Sequence, residues 1–312
     1  MSKKISLIGG TGFIGKTVLD KLLHLTSYQI RILSRSKHKS TDSRIEYFQG
    51  DLLNLNDLIA AVKGVDIVIQ SAQFKGHPVE RPWLGAEYTY LGFDAKATQN
   101  TVKAIEYSQV TNNIKQYIYL SGAGSGDNFK NTSSKQYNWT KAKQIAESSI
   151  KDSGIPFTIF RPSWVYGKGD QSMSKFILFA KYLPVFPVIG DGKAPVNPVC
   201  VEDLAQMIIN SLENQEVQNK IIEIGSLPEM NMKQVAQIVL KSVGASHKPI
   251  ICHPKPLMKL AGIFAQFIPF SPISPNSVEF LTMDVHLQNL KEEILGVKIK
   301  SLESGLQESG LI

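Results

Sequence analysis

Cysteine is almost missing from this chain. Cys200 and Cys252 are the only two in 312 residues, and they form no CxxC pair. That excludes a disulfide scaffold and a cysteine zinc site, and it fits a reducing compartment. No apolar run reaches membrane-spanning length. The first strand-like run starts at residue 5, which leaves no room for a secretory leader, so a cytoplasmic chain is expected, with any membrane association peripheral. The six histidines are scattered without a pair at ligand spacing, so no metal is expected, and His24 and His253 read as structural or surface residues. No internal repeat, no low-complexity tract and no Lys/Arg run interleaved with aromatics is present, which argues against nucleic acid as a partner.

Charge is unevenly spread. The net charge is +7; residues 1–156 hold 20 Lys and Arg against 13 Asp and Glu, while residues 157–312 hold 14 against 14. The excess therefore sits in the first half. A small phosphate-bearing ligand explains it more economically than a polymer.

That half opens on Ile5-Ser6-Leu7-Ile8-Gly9-Gly10-Thr11-Gly12-Phe13-Ile14-Gly15. A short apolar strand ends in glycines spaced by three, and Phe13, Ile14, Val18, Leu22 and Leu25 then recur at helical spacing. Gly9 permits the tight turn, Gly12 lets a pyrophosphate approach bare backbone, and Gly15 lets the helix sit close to the strand. The N–H groups and positive dipole end of the helix face the phosphates. With strand before and helix after, the pattern predicts a dinucleotide site.

The next strand, Gln29 to Leu33, is followed by Ser34-Arg35-Ser36-Lys37-His38-Lys39. The acidic residue that bonds the ribose hydroxyls of NAD is missing here; Arg35 and Lys37 suit the extra phosphate of NADP, which is therefore preferred over NAD. Further strands are predicted at 45–49, 65–69, 116–120 and 157–161, alternating with helices at 54–63, 87–107 and 137–152. Six strands with intervening helices predict a parallel sheet covered on both faces. Tyr137 and Lys141 open the helix between the fifth and sixth strands and share one face of it. A nearby ammonium stabilises a phenolate, so this pair suits proton exchange at an alcohol or carbonyl substrate.

At these residues the chain resembles the short-chain dehydrogenase/reductase superfamily, in its extended or atypical branch, the NAD-dependent epimerase/dehydratase group. The matching pieces are Gly9 to Gly15, Gly50-Asp51-Leu52, Tyr137-x-x-x-Lys141, Arg161 to Asp170, Gly190-Asp191-Gly192 and Val201-Glu202-Asp203-Leu204-Ala205. Within the branch it looks most like relatives of the nucleotide-binding accessory subunit of respiratory complex I, on Leu120 to Ala123, Lys141-Ala142-Lys143 and the late Leu295-Gly296-Val297. The resemblance implies a Rossmann-type doubly wound parallel sheet (residues 1–167) with a smaller C-terminal α/β substrate-capping region (residues 168–312) interleaved with it. It implies that Asp51, with Leu52, meets the adenine, that Ser71, Ala72 and Gln73 flank the ribose, that Lys141 holds the nicotinamide ribose, and that Pro162 to Val165 line the nicotinamide.

Two departures stand out. A Ser-Ser pair is usual at the end of strand five, whereas this chain has Ser121-Gly122; the polarising hydroxyl then falls to Ser121 or Ser125. Arginine is absent after Arg161, so Val196-Asn197-Pro198 lacks the cation that holds a substrate diphosphate in nucleotide-sugar enzymes of the branch. The expected function is thus an NADP(H)-dependent oxidoreductase, epimerase or dehydratase; the alternative is an assembly or sensor subunit that binds the cofactor without turnover. The Pro-bounded apolar segment at 256–270 reads as a buried lid helix, a membrane-surface contact or a partner-docking face, and the few basic residues flanking it favour the lid.

Overall fold

The computed structural model describes residues 3–74, 76, 79–109, 114–126, 138–265, 267 and 274–312. Seven strands form one parallel sheet. In chain order, β1 (Lys4–Ile8), α1 (Phe13–Leu25), β2 (Gln29–Ser34), β3 (Ile45–Gln49), α2 (Leu55–Val62), β4 (Ile67–Gln70), α3 (Lys96–Gln109), β5 (Gln116–Leu120), α4 (Asn138–Asp152) and β6 (Phe157–Pro162) build the first half. The second half adds β7 (Val165–Tyr166), α5 (Met173–Tyr182), β8 (Phe186–Ile189), β9 (Pro195–Val196), β10 (Val199–Cys200), α6 (Val201–Asn210) and β11 (Lys220–Ile224). After these come β12 (Met230–Asn231), α7 (Met232–Ser242), β13 (Ile250–His253), α8 (Lys255–Ala265), α9 (Pro275–Leu281), β14 (Glu293–Ile294), β15 (Val297–Lys298) and α10 (Leu302–Glu308).

The sheet order is β11-β6-β5-β4-β1-β2-β3, so the chain steps outward from β1 in one direction and then reverses. The crevice lies at that reversal, outside the carboxyl ends of β1 and β4. The strands alternate strictly between two cores. Ile5, Leu7, Ile30, Ile32, Ile67 and Ile69 face α1 and α6, where they meet Val18, Leu22, Leu204 and Ile208. Ile8, Leu33, Val68, Tyr117, Tyr119 and Ile159 face α2, α3 and α4. Burying each of these aliphatic side chains contributes about 1.5–3 kcal/mol. The layers are therefore dictated by the period-two pattern within each strand.

Strand β11 returns from the second half to pair with β6, from Lys220↔Thr158 to Ile224↔Pro162. The helix α7 opens on Asn231, which forms a reciprocal capping box with Gln234. Two expectations need correcting. After a 3₁₀ turn at Pro82–Leu84, the stretch expected to be helical from 87 is instead a 3₁₀ turn at Ala86–Tyr88 and a π turn at Leu91–Ala95, with α3 starting only at Lys96. Thr89 is the reason: its Oγ1 bonds the Ala86 carbonyl and receives the Gly92 N–H, and it keeps the chain from a regular turn. The buried-lid reading of 256–270 also fails over its described residues, because Gly262 is the one buried residue of α8 and Phe267 is exposed; residues 266 and 268–270 lie outside the described residues.

Candidate functional site

The turn after β1 is built from backbone. Gly9 adopts φ +94°, and a Cβ there would stand 2.5 Å from the Ala72 nitrogen and 2.8 Å from Ser71 Oγ. The Gly12 N–H closes the turn on the Gly9 carbonyl at 2.9 Å. A Cβ on Gly15 would collide with that same carbonyl, so α1 lies against the turn as closely as backbone permits. Gly12 is the N-cap of α1 and no side chain caps the helix, nor does any acidic residue stand in its first turn. The first-turn N–H groups therefore have no intrahelical acceptor and point out of the helix end. A Cβ on Gly12 would touch only the Gly9 carbonyl, at 3.2 Å. The surface outside Gly12 is open, which is the shape a pyrophosphate needs.

The carboxyl ends of the neighbouring strands collect around this turn. Ser71 donates its N–H to the Ile8 carbonyl at 2.8 Å, which sets Ser71, Ala72 and Gln73 beside Gly9 and Gly10. The Gly50 N–H bonds the Ser34 carbonyl at 3.0 Å and brings Asp51 and Leu52 next to Ser34 and Arg35. Asp51 uses one oxygen to accept the Leu53 N–H at 2.9 Å, while its own N–H goes to Asp57. Arg35 and Lys37 are exposed, and neither side chain bonds a described residue. On the far side, Ala123 donates to the Pro162 carbonyl at 2.8 Å, and Val165 pairs with Val199. Phe13 lies under Gly169, joining the helix end to the loop after β7.

The residues expected from the sequence to transfer protons are distributed differently from the cofactor residues. Tyr137 lies outside the described residues. Lys141 is exposed on α4. Ser121 donates its hydroxyl to Glu147 Oε1 at 2.5 Å, and Ser125 Oγ lies 2.6 Å from the same oxygen. Glu147 in turn meets Arg161 through two nitrogens, at 3.0 and 2.5 Å. Burial works against the Glu147 charge, but Arg161 and the two hydroxyls outweigh it and hold the carboxyl below the usual range.

Three residues absent from the sequence-based site are prominent here. Lys143, two positions beyond Lys141, is only 1% exposed; its Nζ sits 3.4 Å from Tyr119 Oη and 5.4 Å from the centre of that ring. Burial alone would lower its affinity for the proton, but Tyr119 and Asp94 reverse this and raise it. Asp94 receives the Phe74 N–H at 2.8 Å, and burial pushes its carboxyl upward despite the Lys143 ammonium. The third is Trp139. A Cβ on Gly122 would fall 2.6 Å from its Cζ2, so the indole fills the space beside the end of β5. The i, i+4 spacing of Lys143 and Glu147, inside the buried stripe of Trp139, Ala142, Ala146 and Ile150, was the available signal.

The comparisons agree with this geometry. A sequence profile described as NAD(P)H-binding matches residues 9–215. The chain belongs to that family. Among curated relatives, the mouse mitochondrial NADH dehydrogenase [ubiquinone] 1 alpha subcomplex subunit 9 is 22% identical over 96% of this chain and 77% of its own length. The UDP-glucose 4-epimerase of Vibrio cholerae is also 22% identical, over 99% and 95%. Among solved structures, the dTDP-glucose 4,6-dehydratase DesIV of Streptomyces venezuelae, with NAD and TYD bound, superposes with a TM-score of 0.72 at 18% identity, over 98% of this chain and 95% of that one. The family member is thus a short-chain dehydrogenase/reductase-like, NAD(P)(H)-binding protein with an epimerase/dehydratase-type fold. The expected resemblance and fold class hold.

Proposed function

We propose that this family member is an NADP(H)-dependent oxidoreductase, or an epimerase or dehydratase, acting on a small carbonyl or alcohol substrate. The observation that carries the reading is the uncapped end of α1 behind the Gly9–Gly12 turn, open to a pyrophosphate. Backbone from Gly9 to Gly15, including Gly10, Thr11, Phe13 and Ile14, cradles the phosphates. Arg35, with Lys37 and Ser34, takes the additional phosphate of NADP, and Asp51 and Leu52 border the adenine. Ser71, Ala72 and Gln73 flank the sugar on the β4 side; Pro162 and Val165 line the nicotinamide. When bound, the cofactor supplies or accepts hydride. Tyr137 gives or takes the substrate proton, Lys141 holds the ribose and favours the phenolate, and Ser121 orients the substrate oxygen through the hydroxyl it now gives to Glu147.

The substrate lacks a nucleotide diphosphate. Asn197, where an arginine would grip one, is buried and donates its amide to the Ser226 carbonyl at 2.8 Å. The β9–β10 loop of this chain, Asn197-Pro198, offers no cation in its place.

A second reading is favoured by two observations. Trp139 occupies the space at Gly122, and Lys141 stands exposed. Both suit a subunit that holds NADP(H) without turning it over, as an assembly or sensor component. Steady-state assay with NADPH against a panel of aldehydes, ketones and quinones, run with Tyr137→Phe, separates the two. The enzyme reading expects turnover that Tyr137→Phe abolishes while affinity for NADPH is kept. Cofactor that co-purifies and resists oxidation by every substrate class supports the second reading.

A further inference from the structure

Helix α8 carries an apolar face that no described part of the chain covers. Its buried residue, Gly262, sits on the Ser274–Pro275 backbone, where a Cβ would come within 2.7 Å of the Ser274 carbonyl carbon. Leu257, Leu260 and Phe264 follow one another at helical spacing and are 57, 55 and 69% exposed. Phe267, 66% exposed, continues the row, and its ring lies 5.3 Å from that of Trp83. Trp83 and its neighbour Leu84 are themselves more than half exposed. The helix and the 3₁₀ turn at Pro82–Leu84 therefore present one continuous patch. Single exposed apolar residues are ordinary, but a contiguous group of this size marks a contact surface.

Charge indicates what it contacts. Between Glu229 and Glu279 the chain has no Asp or Glu, and the 49 intervening residues carry five lysines. Two of these, Lys255 and Lys259, lie on α8 and share the single carboxylate of Glu279; Lys255 is 2.8 Å from it, and Lys259 bonds its other oxygen. Two ammoniums against one carboxylate leave the edge of the patch cationic. Apart from these lysines α8 has no polar side chain. A protein partner normally meets a hydrogen-bonding group every 100–200 Å², roughly. A face of Leu, Ile, Phe and Trp edged by lysine suits lipid instead: the apolar side chains enter the acyl boundary and the lysine heads reach the phosphates.

We infer that α8, with Trp83 and Phe267, lies in the plane of an anionic membrane surface. At about 16 Å the helix is far too short to span a bilayer, so the attachment is peripheral. The inference does not depend on cofactor binding or turnover.

Flotation of the full chain with vesicles tests it, using phosphatidylcholine alone and an equal mixture with phosphatidylglycerol. The chain should float with the mixed vesicles, less so with phosphatidylcholine, and less again at high salt. Leu257→Glu and Phe264→Glu should each weaken flotation by about tenfold or more, with the thermal midpoint and NADPH affinity unchanged because both positions are exposed. Absence of flotation, or flotation that both variants retain in full, overturns the inference. So does a dimer seen by light scattering that Phe264→Glu dissociates, since that result assigns the face to a second copy of this chain.

Discussion

Gly122 and Trp139 are matched in size: the indole reaches so close to Gly122 that an added Cβ would stand 2.6 Å from Cζ2 and 2.9 Å from Cη2. Phe280 of α9 closes on the same indole edge-on, with ring centres 6.0 Å apart. A side chain at 122 and an indole at 139 are therefore alternatives. Gly122→Ala should destabilise the chain by about 1–3 kcal/mol in chemical denaturation, the usual cost of overpacking. Trp139→Leu in the same chain should recover part of that loss, a coupling that separately measured single variants would reveal.

Gly15 rests on the Gly9 carbonyl with no space for a methyl group. Gly15→Ala should push α1 away from the turn and weaken NADPH binding by about tenfold or more, since helix position sets how the N–H groups meet the phosphates. Isothermal titration calorimetry reads this directly, and circular dichroism should show the helices retained.

Arg35 is exposed; its carbonyl accepts from Gln49 Nε2 at 3.3 Å, and among the described residues its side chain has no partner, which leaves the guanidinium available to a ligand. Arg35→Ser should therefore weaken NADPH binding by about tenfold, one lost charge-assisted contact, and leave NADH nearly unchanged. Equal loss for both cofactors would remove the argument for NADP.

Glu147 holds Arg161, Ser121 and Ser125 at once. Its carboxyl is depressed in the folded chain, so the stability it adds is fully present above the ordinary glutamate pKa and is lost as pH falls through the lower, folded value. Glu147→Gln should cost about 1–3 kcal/mol at neutral pH, the penalty for replacing a buried charged acceptor by a neutral amide while Arg161 keeps Glu223 at 3.6 Å. The gap between wild type and variant should narrow in acid, as thermal melts across the acid range would show.

How much of this was legible beforehand depends on whether neighbours in sequence or neighbours in space decide it. The Gly9–Gly15 turn and each strand from β1 to β6 were readable because each is fixed within a dozen residues. Residues 87–95 were not, because Thr89 breaks the turn by a side-chain bond that helical periodicity does not register. The burial of Lys143 was not legible, because spacing from a tyrosine does not say which helix face is buried; that is set by Asp94 and Tyr119 from other elements. The exposure of α8 was hidden for the opposite reason: apolar composition is the same for a helix inside a core and for one awaiting a partner.

The central claim is that the first turn of the chain receives a pyrophosphate on bare backbone. Calorimetric titration of wild type and Gly12→Asp with NADPH measures it most directly, because Gly12 touches little of the protein itself. Saturable one-to-one binding by wild type, lost in a Gly12→Asp variant that melts at the same temperature, is the predicted result. Binding of equal strength in both proteins would contradict it.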